Sequence, residues 1–254
     1  MVYLNSTDGL SYQKLRDLNK DVIGWIDVYG TKIDYPIVQG QDNAKYLNTT
    51  VLGEYSTAGS IFLDYRNSKD FSDFNNIIYG HYMAERKMFG DMEKFLEKDF
   101  FDQHKFAAIN RNDLPSFGIT FFAFIKTEGT DQEIFSPAVS GKENKKALIQ
   151  YLYDKATFSR KMTISDQDRI VLLDTCDLTV TNGRYILAGV LTEKVEPNPF
   201  KEERPSQQLQ SFTFNLPKFG LLQFLIIIWI LLVIFYLIQK IIGEKKKDAK
   251  NDEK

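Results

Sequence analysis

One cysteine leaves this chain without an intramolecular disulfide, so any domain it builds must be held by packing alone. Only two histidines, His81 and His104, accompany Cys176, and one thiol with two imidazoles far apart in sequence makes no convincing zinc site. The 15 glycines form neither a phosphate-cradling loop nor a dinucleotide fingerprint, and the acidic residues form no calcium loop. No metal or organic cofactor is expected. Basic charge is not in excess either: 32 Lys and Arg against 34 Asp and Glu give a formal net charge of −2, and no basic stripe interleaved with aromatics is present. Nucleic acid is therefore excluded as an electrostatic partner. Internal repeats and long low-complexity stretches are also missing.

Hydrophobic residues at 43% and aromatics at 14% suffice for the core of one sizeable domain. Near the C-terminus, Leu221 to Gln239 carries no charge. At ~1.5 Å per residue a helix there spans about 28 Å, close to the hydrocarbon thickness of a bilayer. A buried core helix is the competing reading, but the run is apolar on every face and the preceding domain is too small to need one. Lys240, Lys245, Lys246, Lys247, Lys250 and Lys254 follow the span, whereas Lys201, Arg204 and Lys218 precede it. The positive-inside rule puts the tail in the cytoplasm and the folded domain outside. Such a topology calls for an N-terminal export signal, and Met1 to Lys20 holds no apolar stretch that could serve as one, so the chain is expected to begin partway into its gene product.

Many short strands and few helices are expected. Leu10, Leu15, Leu18 and Val22 recur at helical spacing, with Asp8 or Ser11 as cap and Gly24 as the end. Strands are expected at Thr31 to Gln39, where Pro36 points to a sheet edge, and at Ser60 to Asp64, Asn76 to Tyr79 and Ile119 to Thr127. Met92, Phe95, Leu96 and Phe100 suggest one helix after Gly90, and Ala147, Leu148, Tyr151 and Leu152 another after a polar entry at Gly141 to Lys146. Ile170 to Leu173 and Tyr185 to Leu191 read as central strands buried on both faces. Glu196 to Pro217 turns polar and proline-bearing, which suits a stalk that need not pack. The fold class is mostly β, a closed barrel or rolled sheet with peripheral α-helices.

Cys176 ends the strand Arg169 to Thr175. A lone cysteine is commonly a small buried hydrophobe, but strand ends are where side chains emerge at a site. After a polar loop through Asn182 and Gly183 the next strand starts with Arg184. If the two strands pair antiparallel, the guanidinium reaches a group bound at the thiol, in the place of an oxyanion or carbonyl partner. His81 follows a strand and Gly80, which lets the backbone turn, so it too sits at a strand end. His104, among the aromatics of Phe100 to Phe106, suits a structural or solvent-facing role.

The segments Asn76-Ile-Ile-Tyr-Gly-His81, then Leu172-Leu-Asp-Thr-Cys176 followed by Arg184, resemble the His, Cys and Arg motifs of the sortases, cysteine transpeptidases of Gram-positive cell surfaces. Asp21 to Ile26, Ile33 to Val38 and Gly59 to Asn67, with the helix-rich insert before the cysteine strand, look most like class B. The resemblance covers roughly Leu10 to Val195. Two departures stand out: Asp174 occupies the position before the threonine where class B usually has serine, and the loop from Cys176 to Arg184 is short. A C-terminal anchor is commoner in the pilus-building members, so the chain is similar to streptococcal class B-type pilus polymerases.

The resemblance implies a sortase-like barrel with an N-terminal helix region, and an extracellular catalytic domain at 1–195. A linker at 196–217, a transmembrane helix at 218–242 and a basic cytoplasmic tail at 243–254 would follow. It implies that Cys176 attacks the Thr-Gly type bond of a C-terminal sorting motif, with Arg184 stabilising the carbonyl oxygen and His81 protonating the departing amine. Thr175 would orient substrate. The thioester would then pass to an amine, either a pilin lysine or a cell-wall precursor, with no cofactor. A shared membrane surface raises the effective concentration of enzyme and substrate. The alternatives are anchoring of single proteins to the wall and a non-catalytic adhesin or scaffold. A papain-like hydrolase is disfavoured because that family places its cysteine before its histidine.

Overall fold

The computed structural model describes residues 12–111, 114–177 and 181–201. A short helix α1 (Tyr12–Leu18) leads into strands β1 (Val22–Val28), β2 (Asp34–Val38), β3 (Ile61–Leu63) and β4 (Asn75–Tyr79). A small hairpin of β5 (Tyr82–Met83) and β6 (Lys87–Met88) follows. After it come a 3₁₀ stretch at Gly90–Leu96, helix α2 (Lys98–Gln103), β7 (Phe106–Arg111) and β8 (Leu114–Glu128). Helix α3 (Lys142–Asp154), β9 (Ala156–Ser159), β10 (Arg169–Asp177) and β11 (Gly183–Thr192) complete the order.

The sheet runs β11-β10-β4-β3-β2-β1-β7-β8, and β11 pairs again with β8, so these strands close into a barrel while β9 extends from β8. Closure leaves the barrel strands without free edges. The barrel interior is apolar from every strand: Ile26, Ile37, Leu63, Ile78, Ile109, Phe121, Val171 and Leu187 all lie in one buried cluster. A second cluster packs α3, through Leu148, Ile149 and Leu152, on the outer face of β4, β10, β11 and β8. Each fully buried Leu, Ile or Phe contributes about 1.5–3 kcal/mol from removing its surface from water. Strand β10 serves both clusters because Val171 and Leu173 face inward while Ile170 and Leu172 face α3.

Several expectations change. The first helix stops at Leu18 and Gly24 lies inside β1, because the β-branched Val22 and Ile23 and the bulky Trp25 and Ile26 fit a pleated ladder with β2 and β7. The proposed caps Asp8 and Ser11 lie outside the described residues. Strand β2 is not an edge but sits between β1 and β3. Pro36 is tolerated because the β3 ladder begins only at Ile37 and Val38, leaving the proline unpaired on that side. The helix expected from Met92 to Phe100 is two pieces, with Glu97 extended between them. Strands β1, β7 and β9 carry no expectation from sequence, whereas β10 and β11 are buried on both faces as their apolar runs indicate.

Packing continues past Val195: the Tyr29 hydroxyl donates to the Glu196 carbonyl at 3.0 Å, and the ring of Phe200 stacks 4.4 Å from His104. His104 is buried, stacked also on Phe100, and donates from Nδ1 to the Phe100 carbonyl, so its role is structural. The apolar run Leu221 to Gln239 and the tail lie outside the described residues. Among the described residues no helix is long and apolar enough to cross a membrane.

Candidate active site

Two strand pairings assemble the site. Strands β10 and β11 are antiparallel with Cys176 directly opposite Arg184, and β4 runs parallel to β10 with Tyr79 opposite Asp174. Gly80 carries that pairing one step further by donating its N–H to the Asp174 carbonyl at 3.0 Å. His81 and Cys176 thus follow two residues beyond a paired position on neighbouring parallel strands. All three sequence-predicted residues, His81, Cys176 and Arg184, line one cavity of about 340 Å³. Cys176 is partly exposed, so the thiol is not sealed in the core.

Arg184 points Nη1 at two acceptors. It lies 3.6 Å from the Cys176 Sγ and 3.3 Å from Asp174 Oδ2. Asp174 is buried, and burial pushes its carboxyl up to about 7 even though Arg184 pulls the other way. Across β11 from Cys176, Thr127 of β8 pairs with Arg184, and the following Gly129 donates its N–H to the Asn182 carbonyl at 2.9 Å.

His81 is held at its outer nitrogen. Nε2 lies 2.8 Å from the Leu47 carbonyl, which only accepts, so Nε2 carries a hydrogen and Nδ1 is the nitrogen left to exchange a proton. Gly80, expected to let the backbone turn, does so without a positive φ. Its absent side chain matters for packing, since a β-carbon there would come 2.6 Å from the Phe89 ring and 2.5 Å from Ile61 Cδ1.

Thr175 differs from its neighbours. Alternation along β10 turns it inward, away from Asp174 and Cys176, and it is wholly buried with a hydroxyl that has no partner among the described residues. Its side chain is not part of the cavity lining.

Several lining residues had no role in the sequence reading. Tyr79 stacks on Phe135 and packs against Phe62, and its hydroxyl donates to Asp64 Oδ2 at 3.0 Å. Burial raises that phenol, and the Asp64 charge adds to the effect. Asp64 is fully buried. Burial alone would raise its carboxyl, but the fork of Arg66 at 2.9 and 2.8 Å, with donors from Asn43 and Tyr79, holds it below the usual carboxylate range. Tyr79 and Asp64 both fall inside the family-like segments, which was the available signal; Phe135 lies in the insert and had none.

The shape and sequence of the chain match known proteins. No protein-family model matches it. It is 36% identical to sortase B of Listeria monocytogenes over 182 residues, which is 71% of this chain and 73% of that one. Among solved structures it is similar to a Streptococcus pyogenes class B sortase involved in pilus biogenesis, with a TM-score of 0.67 and 38% identity over 73% of this chain and 100% of that one. It is similar also to sortase B from the type II pilus of Streptococcus pneumoniae, with a TM-score of 0.63 and 41% identity over 73% of this chain and 100% of that one.

The sortase B relatives and the matching barrel make this chain a cysteine transpeptidase. The chain belongs to the sortase family and is class B-like.

Proposed function

We propose that this sortase polymerises pilin subunits, using Cys176 as nucleophile, Arg184 as the donor to the carbonyl oxygen and His81 as acid and base. The observation that carries the residue roles is the guanidinium nitrogen 3.6 Å from the sulfur, in a cavity that His81 also lines. In the first step the Cys176 sulfur attacks the carbonyl carbon of the sorting motif while Arg184 takes the growing negative charge on the oxygen. Protonated His81 then gives its proton to the departing amine, the peptide C–N bond breaks, and a thioester remains. An incoming amine attacks the thioester, neutral His81 accepts its proton, and Cys176 leaves as the thiolate, which restores the starting pair. The bond energy kept in the thioester makes ATP unnecessary. Thr175 contributes through its backbone, because its hydroxyl faces the barrel interior.

Two supports favour a pilin lysine over a wall precursor as the acceptor. The two streptococcal sortases it resembles are described by their pilus systems, and the charge-free run Leu221 to Gln239 reads as the C-terminal anchor of pilus-building members. In this reading residues 1–195 form the catalytic domain outside the cell, 196–217 link it to a membrane helix at 218–242, and 243–254 lie in the cytoplasm. Substrates would be surface proteins with a C-terminal sorting motif.

The test is competition between acceptors. Full-length enzyme in detergent is acylated with a sorting-motif peptide and offered, in equal amounts, a folded pilin domain and a short peptide bearing the amino group of the wall precursor. Polymerisation predicts an isopeptide-linked pilin product in large excess; preferential transfer to the precursor amine would assign wall anchoring instead.

A further inference from the structure

Asp174 and Cys176 stand two residues apart on one strand, so both side chains lie on the same face of β10, toward Arg184 on β11. A single nitrogen, Nη1, serves both: 3.3 Å to the carboxylate and 3.6 Å to the sulfur. The guanidinium has no other anchor among the described residues, since its Nε is buried without a partner, and so is Asp174 Oδ1. We propose that Asp174 is a positioning residue that holds Arg184 against Cys176, and that its charge sets how much of the guanidinium's charge is left for the sulfur and for a carbonyl oxygen bound there. This rests on the roles given above to Cys176 and Arg184.

The alternative is a permanent ion pair that only keeps Arg184 neutralised. Burial argues against it. Asp174 is 1% exposed, and the loss of hydration outweighs the attraction of Arg184, leaving the carboxyl at about 7. The carboxyl is therefore protonated on one side of neutrality and ionised on the other. When protonated, it still accepts from Nη1 but takes none of its charge. When ionised, it competes with a second anion, either the thiolate or the oxygen of the tetrahedral intermediate, for one cation.

The other groups around Asp174 cannot take over this part. Tyr79, opposite it on β4, spends its hydroxyl on Asp64, and Asp64 is itself engaged by the fork of Arg66. His81, beyond the end of β4, donates to the Leu47 carbonyl. Arg184 is the one charged partner on β11 within reach, and Cys176 is the next ionisable group along β10 itself.

The chain's single cysteine makes the test direct. Alkylation of Cys176 by iodoacetamide is followed by intact mass in the full-length enzyme between pH 5.5 and 8, for wild type, Asp174→Asn and Asp174→Ala, and for the Asn change in an Arg184→Ala background. The Asn to wild-type rate ratio is expected near one at pH 5.5, rising through about pH 7 toward roughly tenfold, the scale of one pKa unit of charge interaction. In the Arg184→Ala background the rise should vanish, because the effect passes through the guanidinium. Asp174→Ala, which removes the acceptor, should react at least threefold more slowly than Asp174→Asn at pH 8. A pH-independent ratio overturns the charge role, persistence without Arg184 overturns the route, and equal Asn and Ala rates overturn the positioning. Asp174→Ser, a smaller polar side chain, replaces any variant whose melting curve shows loss of folding. Wild-type thiol that reacts only after unfolding would instead defeat the assignment of Cys176 as nucleophile.

Discussion

Gly129 lies against Arg184: a β-carbon at position 129 would stand 3.0 Å from the guanidinium Nε and 2.7 Å from Asn182 Oδ1. Both contacts are side-chain atoms, so a β-carbon there would push the Asn182 amide and the Arg184 guanidinium aside while the backbone bond from Gly129 N–H to the Asn182 carbonyl, at a residue with φ 58°, holds the turn in place. The absence of a side chain at 129 is therefore part of how Arg184 is aimed.

Gly129→Ala should lower acyl-enzyme formation by about ten- to a hundredfold, since displacements on the scale of 1 Å cost up to that much. The melting temperature should change little, because the site lies at the barrel rim. Single-turnover mass spectrometry and thermal melts check both, and an unimpaired acylation rate would show that Arg184 tolerates the shift.

Arg184→Ala should reduce turnover by about two to three orders of magnitude, the usual loss for one oxyanion donor. Arg184→Lys should recover only part of it. An ammonium is a compact point charge on a flexible stem and does not reproduce the fixed planar geometry that sets Nη1 between the sulfur and Asp174. Steady-state kinetics on a sorting-motif peptide measure this, and wild-type rates in the lysine variant would make the fork's geometry irrelevant.

Much of this site was legible in the sequence, for a definite reason. Cys176 and Arg184 are joined by a short polar loop between two apolar runs, a pattern that leaves hairpin pairing as the local solution. The partnership of β4 with β10 was not legible, because a parallel pairing across about ninety residues leaves no local mark on the chain. Asp174 shows the limit most plainly. As a letter it was only an unusual residue before Thr175; its meaning depends on burial and on which nitrogen of Arg184 faces it. The barrel class followed from many short strands, but β1 was lost to helical spacing at Leu15, Leu18 and Val22, which tertiary pairing overrode.

Asp27 and Asp34 face each other across the β1–β2 ladder, and burial together with the Asp34 charge raises the Asp27 carboxyl to about 6. A raised carboxyl means that the folded state holds a proton the unfolded chain has released between the ordinary Asp value and about 6, so stability falls as pH rises through that window. Asp27→Asn should remove this slope. Its melting temperature should exceed that of wild type at pH 7 and equal it near pH 4; a pH-independent difference would contradict the pairing.

Tyr79→Phe keeps the ring between Phe62 and Phe135 but removes a donor to the buried Asp64. Loss of one hydrogen bond to a charged acceptor costs about 1.5–3 kcal/mol. Urea denaturation should report a destabilisation of that order, with an acylation rate within a few-fold of wild type. A large loss of acylation at unchanged stability would move Tyr79 from the scaffold into the chemistry.

The central claim is that the Cys176 sulfur carries the acyl group. Intact mass spectrometry of the full-length enzyme, mixed with a sorting-motif peptide and no added amine, tests it most directly. The account predicts one adduct per chain, mapped to Cys176, lost on treatment with hydroxylamine and absent from Cys176→Ala. An adduct that persists in Cys176→Ala, or turnover of the peptide by that variant, would contradict it.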